Sequence, residues 1–291
     1  MFEFLEEIQL SLPGTLDKSG EQPTMSPGSS RAVAHLIQLA DRTSTALQVP
    51  GGDTHPDRPA LLLDRLDGII SVDEVSRIIH VQAGVVLGVV EERVEDHGWT
   101  LGVPKALHGE PVGAWLARGA PGRADKANDP VMQGVAGIEL VLPSGADLSI
   151  RPAPRRAVGP DLIRAAIGAR GRLGVILGAH LVAQTKIAEA SFAFSFPDSR
   201  AASRALTWIR GHGVRPLRTA TQQDRLQLVL EAEGPRHEAV KKVMRRVVAE
   251  NGGTEIANQP EIGVSQEQLP ASTEVFDRLA KELDPNGILQ P

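Results

Sequence analysis

The sequence contains no cysteine and no tyrosine among its 291 residues, and aromatic residues amount to 3%. Without thiols there can be no disulfide, no thiolate metal ligand and no thiol nucleophile. Without phenols, tyrosine acid–base chemistry is excluded, and few rings are left to stack on a base or a flat substrate. A long apolar run is missing too. The best one, "LGVILGAHLVA", is interrupted by His180 and falls far short of a membrane span. Charge is nearly balanced, with 31 Lys and Arg against 36 Asp and Glu and a formal net charge of −5. That gives no broad electrostatic reason to bind nucleic acid or an anionic membrane. The opening "MFEFLEEIQLSLPG" is acidic and has no basic segment ahead of an apolar core. It does not read as a signal peptide, and a cytoplasmic protein is expected.

What is present is ordinary for a globular chain: 41% hydrophobic residues, 23% charged, 29 Gly and 21 Pro. The length predicts one large domain or two modest ones rich in turns. Residues 1–24 read as a partly irregular lead-in. "SSRAVAHLIQLA" has a helical stripe that Ser29 or Ser30 can cap. "ALQV" reads as a strand and runs into "VPGGDTHPDRP". Three short strands follow within 60–84, then an amphipathic helix ending at Gly98. After a glycine-rich stretch come two strands around "PSGAD", a short helix in "GPDLIRAAIGARG" and a buried strand, "LGVILGAHLVA". From Lys186 a strand-helix-strand-helix run predicts a separate small domain, with Asp198 capping its first helix. A final helix, "STEVFDRLAKELD", leads to a tail expected to return to the first domain.

Most motif candidates fail on spacing. "GARGRLG" (168–174) is G-x-x-G-x-x-G, and it follows a helix and precedes a strand, the reverse of a dinucleotide fingerprint. "HGE" at His108–Glu110 resembles the H-x-E of zinc deaminases, whose cysteine ligands do not exist here. No G-x-S-x-G is present. The remaining histidines, 35, 55, 80, 97, 180, 212 and 237, show no i,i+4 pairing with a carboxylate on a helix, so no metal site is expected. "KKVMRR" (241–246) reads as the solvated face of a helix, with Met244, Val247 and Val248 on its apolar side.

The order of the segments is more informative than any one of them. From about Ser26 to Ala183 the chain resembles the FAD-binding domain of the PCMH, or vanillyl-alcohol-oxidase, type, in particular FAD-linked oxidases such as the glycolate oxidase subunits. The resemblance rests on "SSRAVAHLIQLA", "LQVPGG", "LDRLDGIISVDEVSRIIHVQAGVVLGVVEERVEDHGWTLG", "PVGAWLARGAPG", "VAGIELVLPSGADL" and "GPDLIRAAIGARGRLGVI". The tail "LDPNGILQP" resembles the C-terminal signature of the same enzymes.

The resemblance implies an α+β protein. Its parts are the lead-in 1–24, a two-subdomain FAD-binding domain over 25–185, a short α+β cap over 186–270, and a C-terminal helix and tail over 271–291. It implies that the loop of Pro50, Gly51, Gly52, Asp53, Thr54 and His55 holds the FAD diphosphate through its backbone amides. Pro111, Val112, Gly113, Gly119 and Gly122 would line the other side, and Gly174, Val175 and Ile176 would meet the adenine or ribose. The physical logic is an anion nest: consecutive N–H groups in a glycine-rich turn concentrate positive potential.

Two carboxylates depart from the family pattern. Asp53 stands where Gly is expected, and "EPVGA" brings Glu110 and Ala114 in place of a polar residue and a Gly. Two like charges about 4 Å apart cost roughly 1 kcal/mol in water-like surroundings and about 4 at an effective dielectric near 20. FAD is therefore expected to be non-covalent, and weakened or lost unless Arg58, Lys105 or Arg118 neutralises these groups. The spacing of His55 and the Pro56 after it argue against a covalent flavin link. The function implied is a FAD-dependent oxidoreductase subunit of the 2-hydroxy-acid, glycolate-like kind, with hydride accepted at flavin N5. The sequence offers no catalytic base. The alternatives are a non-catalytic subunit that keeps the fold to bind a flavoprotein or iron–sulfur partner, and a binding module for another anion.

Overall fold

A computed structural model of the protein describes residues 1–121, 134–152, 161–186, 188–232, 236–257 and 273–289. The chain divides into two compact units, one of Met1–Ala120, Val131–Gln184 and Gln268–Pro291, the other of Pro121–Pro130 and Thr185–Glu267. Helix and antiparallel strand are mixed in both, the α+β class expected.

The first unit opens with α1 (Phe2–Ser11), β1 (Leu16–Asp17), β2 (Thr24–Met25), α2 (Ser30–Arg42) and β3 (Ala60–Leu61). The strands form a small sheet, β1 antiparallel to β2 and β2 parallel to β3. The Ser29 hydroxyl accepts from the Ala32 amide and starts α2. The α2 stripe Val33, Leu36, Ile37, Leu39 and Ala40 is buried together with Phe4 and Ile8 of α1. The lead-in is thus more regular than expected. Phe4 and Ile8 sit four apart and bury one face of a short helix that its acidic flank disguises. "ALQV" is less regular than expected and contributes one parallel bridge, Gln48 to Ala60. Pro50 has no N–H to extend the ladder.

The unit continues with β4 (Ile69–Asp73), β5 (Ile78–Gln82), α3 (Leu87–Glu95), α4 (Val112–Ala117), β6 (Val135–Val141), β7 (Asp147–Ile150), α5 (Leu162–Ala166) and β8 (Val175–Val182). The five strands form an all-antiparallel sheet of order β4-β5-β8-β6-β7. Its central strand β8 is the apolar run seen in the sequence. One sheet face, with Ile79, Val81, Ile138, Leu140 and Leu181, packs on α3 and α4 around the fully buried Trp115. The tail closes against the α1–α2 core: Leu47 donates its amide to Ile288 at 2.8 Å, and Ile288 and Leu289 are fully buried. The buried Asp284 carboxylate accepts from the amides of both, at 2.9 and 2.8 Å.

The second unit contains β9 (Glu189–Ser195), α6 (Ser199–Gly211), β10 (Arg218–Gln222), β11 (Arg225–Glu231), α7 (His237–Glu250) and β12 (Thr254–Ile256). Its antiparallel sheet has the order β10-β11-β9-β12, and its core gathers Phe192, Phe194, Leu226, Leu228, Ile209 and Met244. The basic run on α7 is a solvated face: Lys241, Arg245 and Arg246 pair with Glu238, Glu255 and Glu250. Asp198 caps α6, its carboxylate accepting from the Ala201 amide at 2.7 Å. Replacing Asp198 with Ala is expected to cost about 1 kcal/mol and to lower the unfolding midpoint in urea at unchanged slope. An unchanged midpoint would show that the cap contributes nothing.

Candidate functional site

The site begins with a tight turn. Gly52 donates to the Val49 carbonyl at 3.0 Å, and Gly51 between them has φ +79°. A Cβ on Gly51 would lie 2.5 Å from the Ala117 Cβ and 2.8 Å from the Ala114 carbonyl oxygen. The loop therefore rests directly on α4, at a distance only glycine permits. On its other side lies the turn 168–174, where a Cβ on Gly52 would sit 3.2 Å from the Arg170 carbonyl oxygen. That turn is anchored to α4 as well. Gly168 donates to Leu116 at 3.0 Å, and Arg170, itself at φ +52°, donates to Ala117 at 2.9 Å. "GARGRLG" is thus a clamp: left-handed residues bend the chain back onto the helix that also carries the Gly51–Gly52 loop.

Past the turn, two amide side chains hold the loop open. Gln48 Oε1 accepts from the His55 amide at 3.0 Å and from Gln22 Nε2 at 3.0 Å. Gln22 Nε2 also lies 3.0 Å from the His55 carbonyl oxygen and 2.6 Å from that of Arg58. Among the described residues, the N–H groups of Gly51, Asp53 and Thr54 have no acceptor. His55 Nε2 is buried and has no hydrogen-bond partner. Such free donors at a glycine turn form the nest that an anion completes.

Beside the loop is a cavity of about 550 Å³, walled by Val49–Gly52, Ala60–Asp64, Ala83–Val86 and Pro111. Its inner wall is tight: a Cβ on Gly84 would collide with the Leu63 carbonyl and come within 2.9 Å of that of Leu66. The lining is mostly apolar, and its only titratable groups among the described residues are Asp64 and Asp67.

Both intruding carboxylates are neutralised. Asp53 pairs with Arg170 at 2.8 Å, and Glu110 with Arg118. Arg118 is one of the three cations singled out in the sequence. Arg170 is not, because it lies 117 residues from Asp53 and only the clamp brings it there. Each pair leaves its neighbourhood near zero charge, so the repulsion expected of two bare carboxylates is largely cancelled.

The other expected contacts are distributed unevenly. Pro50, Gly51, Gly52 and Pro111 line the cavity, and Asp53 and Thr54 are exposed at the loop tip. Val112 and Gly113 are buried behind it, their amides already donating to Val85 and Ala83 at 2.9 and 2.8 Å. Gly119, at φ +94°, faces Gly168 of the clamp. Gly174, at φ +147°, leads into β8, where Val175 and Ile176 are buried. Gly122 lies outside the described residues. The contributions of Gln22, Gln48 and Arg170 carry no sequence signal, since uncharged amides and distant arginines belong to no motif.

The nest, the free His55 Nε2 and the adjoining apolar cavity fit a group that is anionic at one point and flat and apolar beyond it. A dinucleotide with a diphosphate has that character, and FAD when bound supplies a two-electron acceptor. The backbone donors of the loop would hold the diphosphate, and the apolar cavity would keep water from the rest of the group.

Comparisons with known proteins agree. The family described as "FAD binding domain" matches residues 22–150. The chain is 29% identical over 167 residues to the uncharacterized FAD-linked oxidoreductase YgcU of Escherichia coli strain K12, covering 56% of this chain and 34% of that protein. It is 27% identical over 181 residues to the mitochondrial D-2-hydroxyglutarate dehydrogenase of Bos taurus, covering 58% and 33%. These matches span about a third of the relatives' own length. Among solved structures, an alkyldihydroxyacetonephosphate synthase superposes with a TM-score of 0.70 at 17% identity, over 96% of this chain and 63% of that one. With the turn, the cavity and the matched segment in agreement, residues 22–150 form a FAD-binding domain similar to those of FAD-linked oxidoreductases, and FAD is the cofactor of that domain.

Proposed function

We propose that the protein acts as a FAD-dependent dehydrogenase subunit on a small 2-hydroxy acid, with glycolate as the simplest case. The supporting observation is the nest at Gly51–Thr54 beside an apolar cavity, its two carboxylates each paired with an arginine. The D-2-hydroxyglutarate dehydrogenase among the relatives points to the substrate class. FAD is held non-covalently in this reading. A second reading is a subunit that keeps the fold and the flavin without completing a catalytic site, and works beside a flavoprotein or iron–sulfur protein. It is favoured by the cavity lining, which among the described residues offers two aspartates and no histidine to act as a base.

The test is to load the purified chain with FAD, remove free flavin, and add glycolate, D-lactate and D-2-hydroxyglutarate in the absence of oxygen. Bleaching of the bound flavin by one of them supports the dehydrogenase reading. Bound flavin that none of them reduces supports the non-catalytic reading. Acid precipitation is expected to release all flavin into the supernatant. Flavin that stays with the denatured protein, and is lost in His55→Ala, would overturn the non-covalent assignment.

A further inference from the structure

We infer that the face of the five-stranded sheet opposite α3 and α4 carries a divalent transition-metal site formed by His80, Glu139 and His180. It stands apart from the flavin reading, shares no residue with the cavity, and does not need FAD. The three residues come from three adjacent strands, β5, β6 and β8. His80 and His180 are direct cross-strand partners, and Glu139 is paired with Gly178, two residues before His180 on β8. Helical i,i+4 spacing cannot reveal such a group, because sheet register assembles it.

The geometry is that of a donor set. The ligand atoms of the three side chains all lie within 4.8 Å of one another. His80 Nε2 is 3.2 Å from Glu139 Oε1. The two imidazoles are stacked with centroids 4.0 Å apart and planes 19° from parallel. All three side chains are half-buried, so an ion has a path to them. Burial and the neighbouring His80 hold His180 below the ordinary histidine pKa. Two stacked imidazolium ions would repel each other, whereas two neutral rings and a carboxylate offer three lone pairs to one cation.

Two glycines lie beside the group. Gly137 pairs with His180, and a Cβ there would come 2.8 Å from the His180 ring. At Gly178 a Cβ would come 2.9 Å from Glu139 Oε2. Glycine inside a strand weakens the sheet and marks a close approach. Two glycines flank the same trio, and the backbone is close there too, with the Ile150 carbonyl oxygen 2.6 Å from the Gly137 Cβ position and that of Val81 3.1 Å from the Gly178 one. Two imidazoles and one carboxylate suit zinc, cobalt or nickel rather than magnesium or calcium, which prefer oxygen donors. Three protein ligands leave a position for water, as in open zinc sites.

The experiment is isothermal titration of the chelator-treated full chain with ZnCl2 and with CoCl2, followed by the visible spectrum of the cobalt form. One ion per chain is expected, with a cobalt ligand-field spectrum of low symmetry. Glu139→Gln is expected to weaken binding at least tenfold, and His80→Gln with His180→Gln to abolish it. Each variant's unfolding midpoint without metal confirms that it folds, and zinc should raise the midpoint of the wild type and not that of the double variant. No binding by the folded wild type, or binding unchanged in the folded double variant, would overturn the site. FAD retention is read separately and has no bearing on either outcome.

Discussion

Gly51→Ala is expected to weaken FAD binding at least tenfold and to lower the melting temperature of the first unit. Two effects add. A non-glycine residue held at φ +79° costs about 1–2 kcal/mol. The new methyl also has nowhere to go: it would lie 2.5 Å from the Ala117 Cβ and 2.8 Å from the Ala114 carbonyl oxygen. Both belong to α4, whose neighbour Trp115 is fully buried, so the helix cannot retreat. Crowding of this kind costs about 1–3 kcal/mol. The loop relieves the strain by lifting off the helix, and its free amides then no longer converge. Gly109→Ala is the control, since nothing lies within 4 Å of its Cβ position and it needs no left-handed backbone. It should leave both melting and FAD titration unchanged. Wild-type behaviour of Gly51→Ala in both measurements would remove the loop from the site.

How much of this was legible in the sequence depends on the range of the interaction. Local signals read well. The caps Ser29 and Asp198 stand where hydroxyl and carboxylate groups precede apolar stripes, and β8 is the apolar run, broken only by His180, that a central strand requires. β10, by contrast, is "RTATQ", too polar to announce itself, and it forms because Leu226 and Leu228 on β11 offer it a partner. The loop Pro50–His55 was legible as an anion nest because glycine pairs after an apolar run are local. Its support was not. Gln22, Gln48 and Arg170 reach it only through tertiary folding, and an amide or an arginine carries no record of its partner. The same holds for His80, Glu139 and His180, which strand register gathers from three separate segments.

Arg170 is the residue on which the charge balance of the loop turns, and Arg170→Gln is expected to weaken FAD binding by about 10- to 100-fold. The substitution shortens the side chain, leaves the left-handed backbone as it is, and removes the cation beside Asp53. The carboxylate, now unpaired, lies on the same short loop as the amides of Gly51 and Thr54. An unscreened charge about 4 Å from a ligand charge costs roughly 1–4 kcal/mol between the water-like and protein-like limits, and each 1.4 kcal/mol is tenfold in affinity. The ion pair itself is partly exposed, with 35% and 54% of the two side chains accessible, so its direct effect on folding is small. Melting should barely change while FAD affinity falls, a split that a purely structural arginine would not produce. Asp53→Gly on its own should bind FAD as well as wild type or better, because it leaves Arg170 uncompensated beside the phosphates. Combining Asp53→Gly with Arg170→Gln should restore affinity to within about threefold of wild type, since the loop is again neutral. Raising salt from about 0.1 to 1 M should shrink the Arg170→Gln defect, as the screening length falls from about 10 to 3 Å. If the double variant stays as weak as Arg170→Gln alone, the arginine acts by holding the clamp against α4 rather than by its charge.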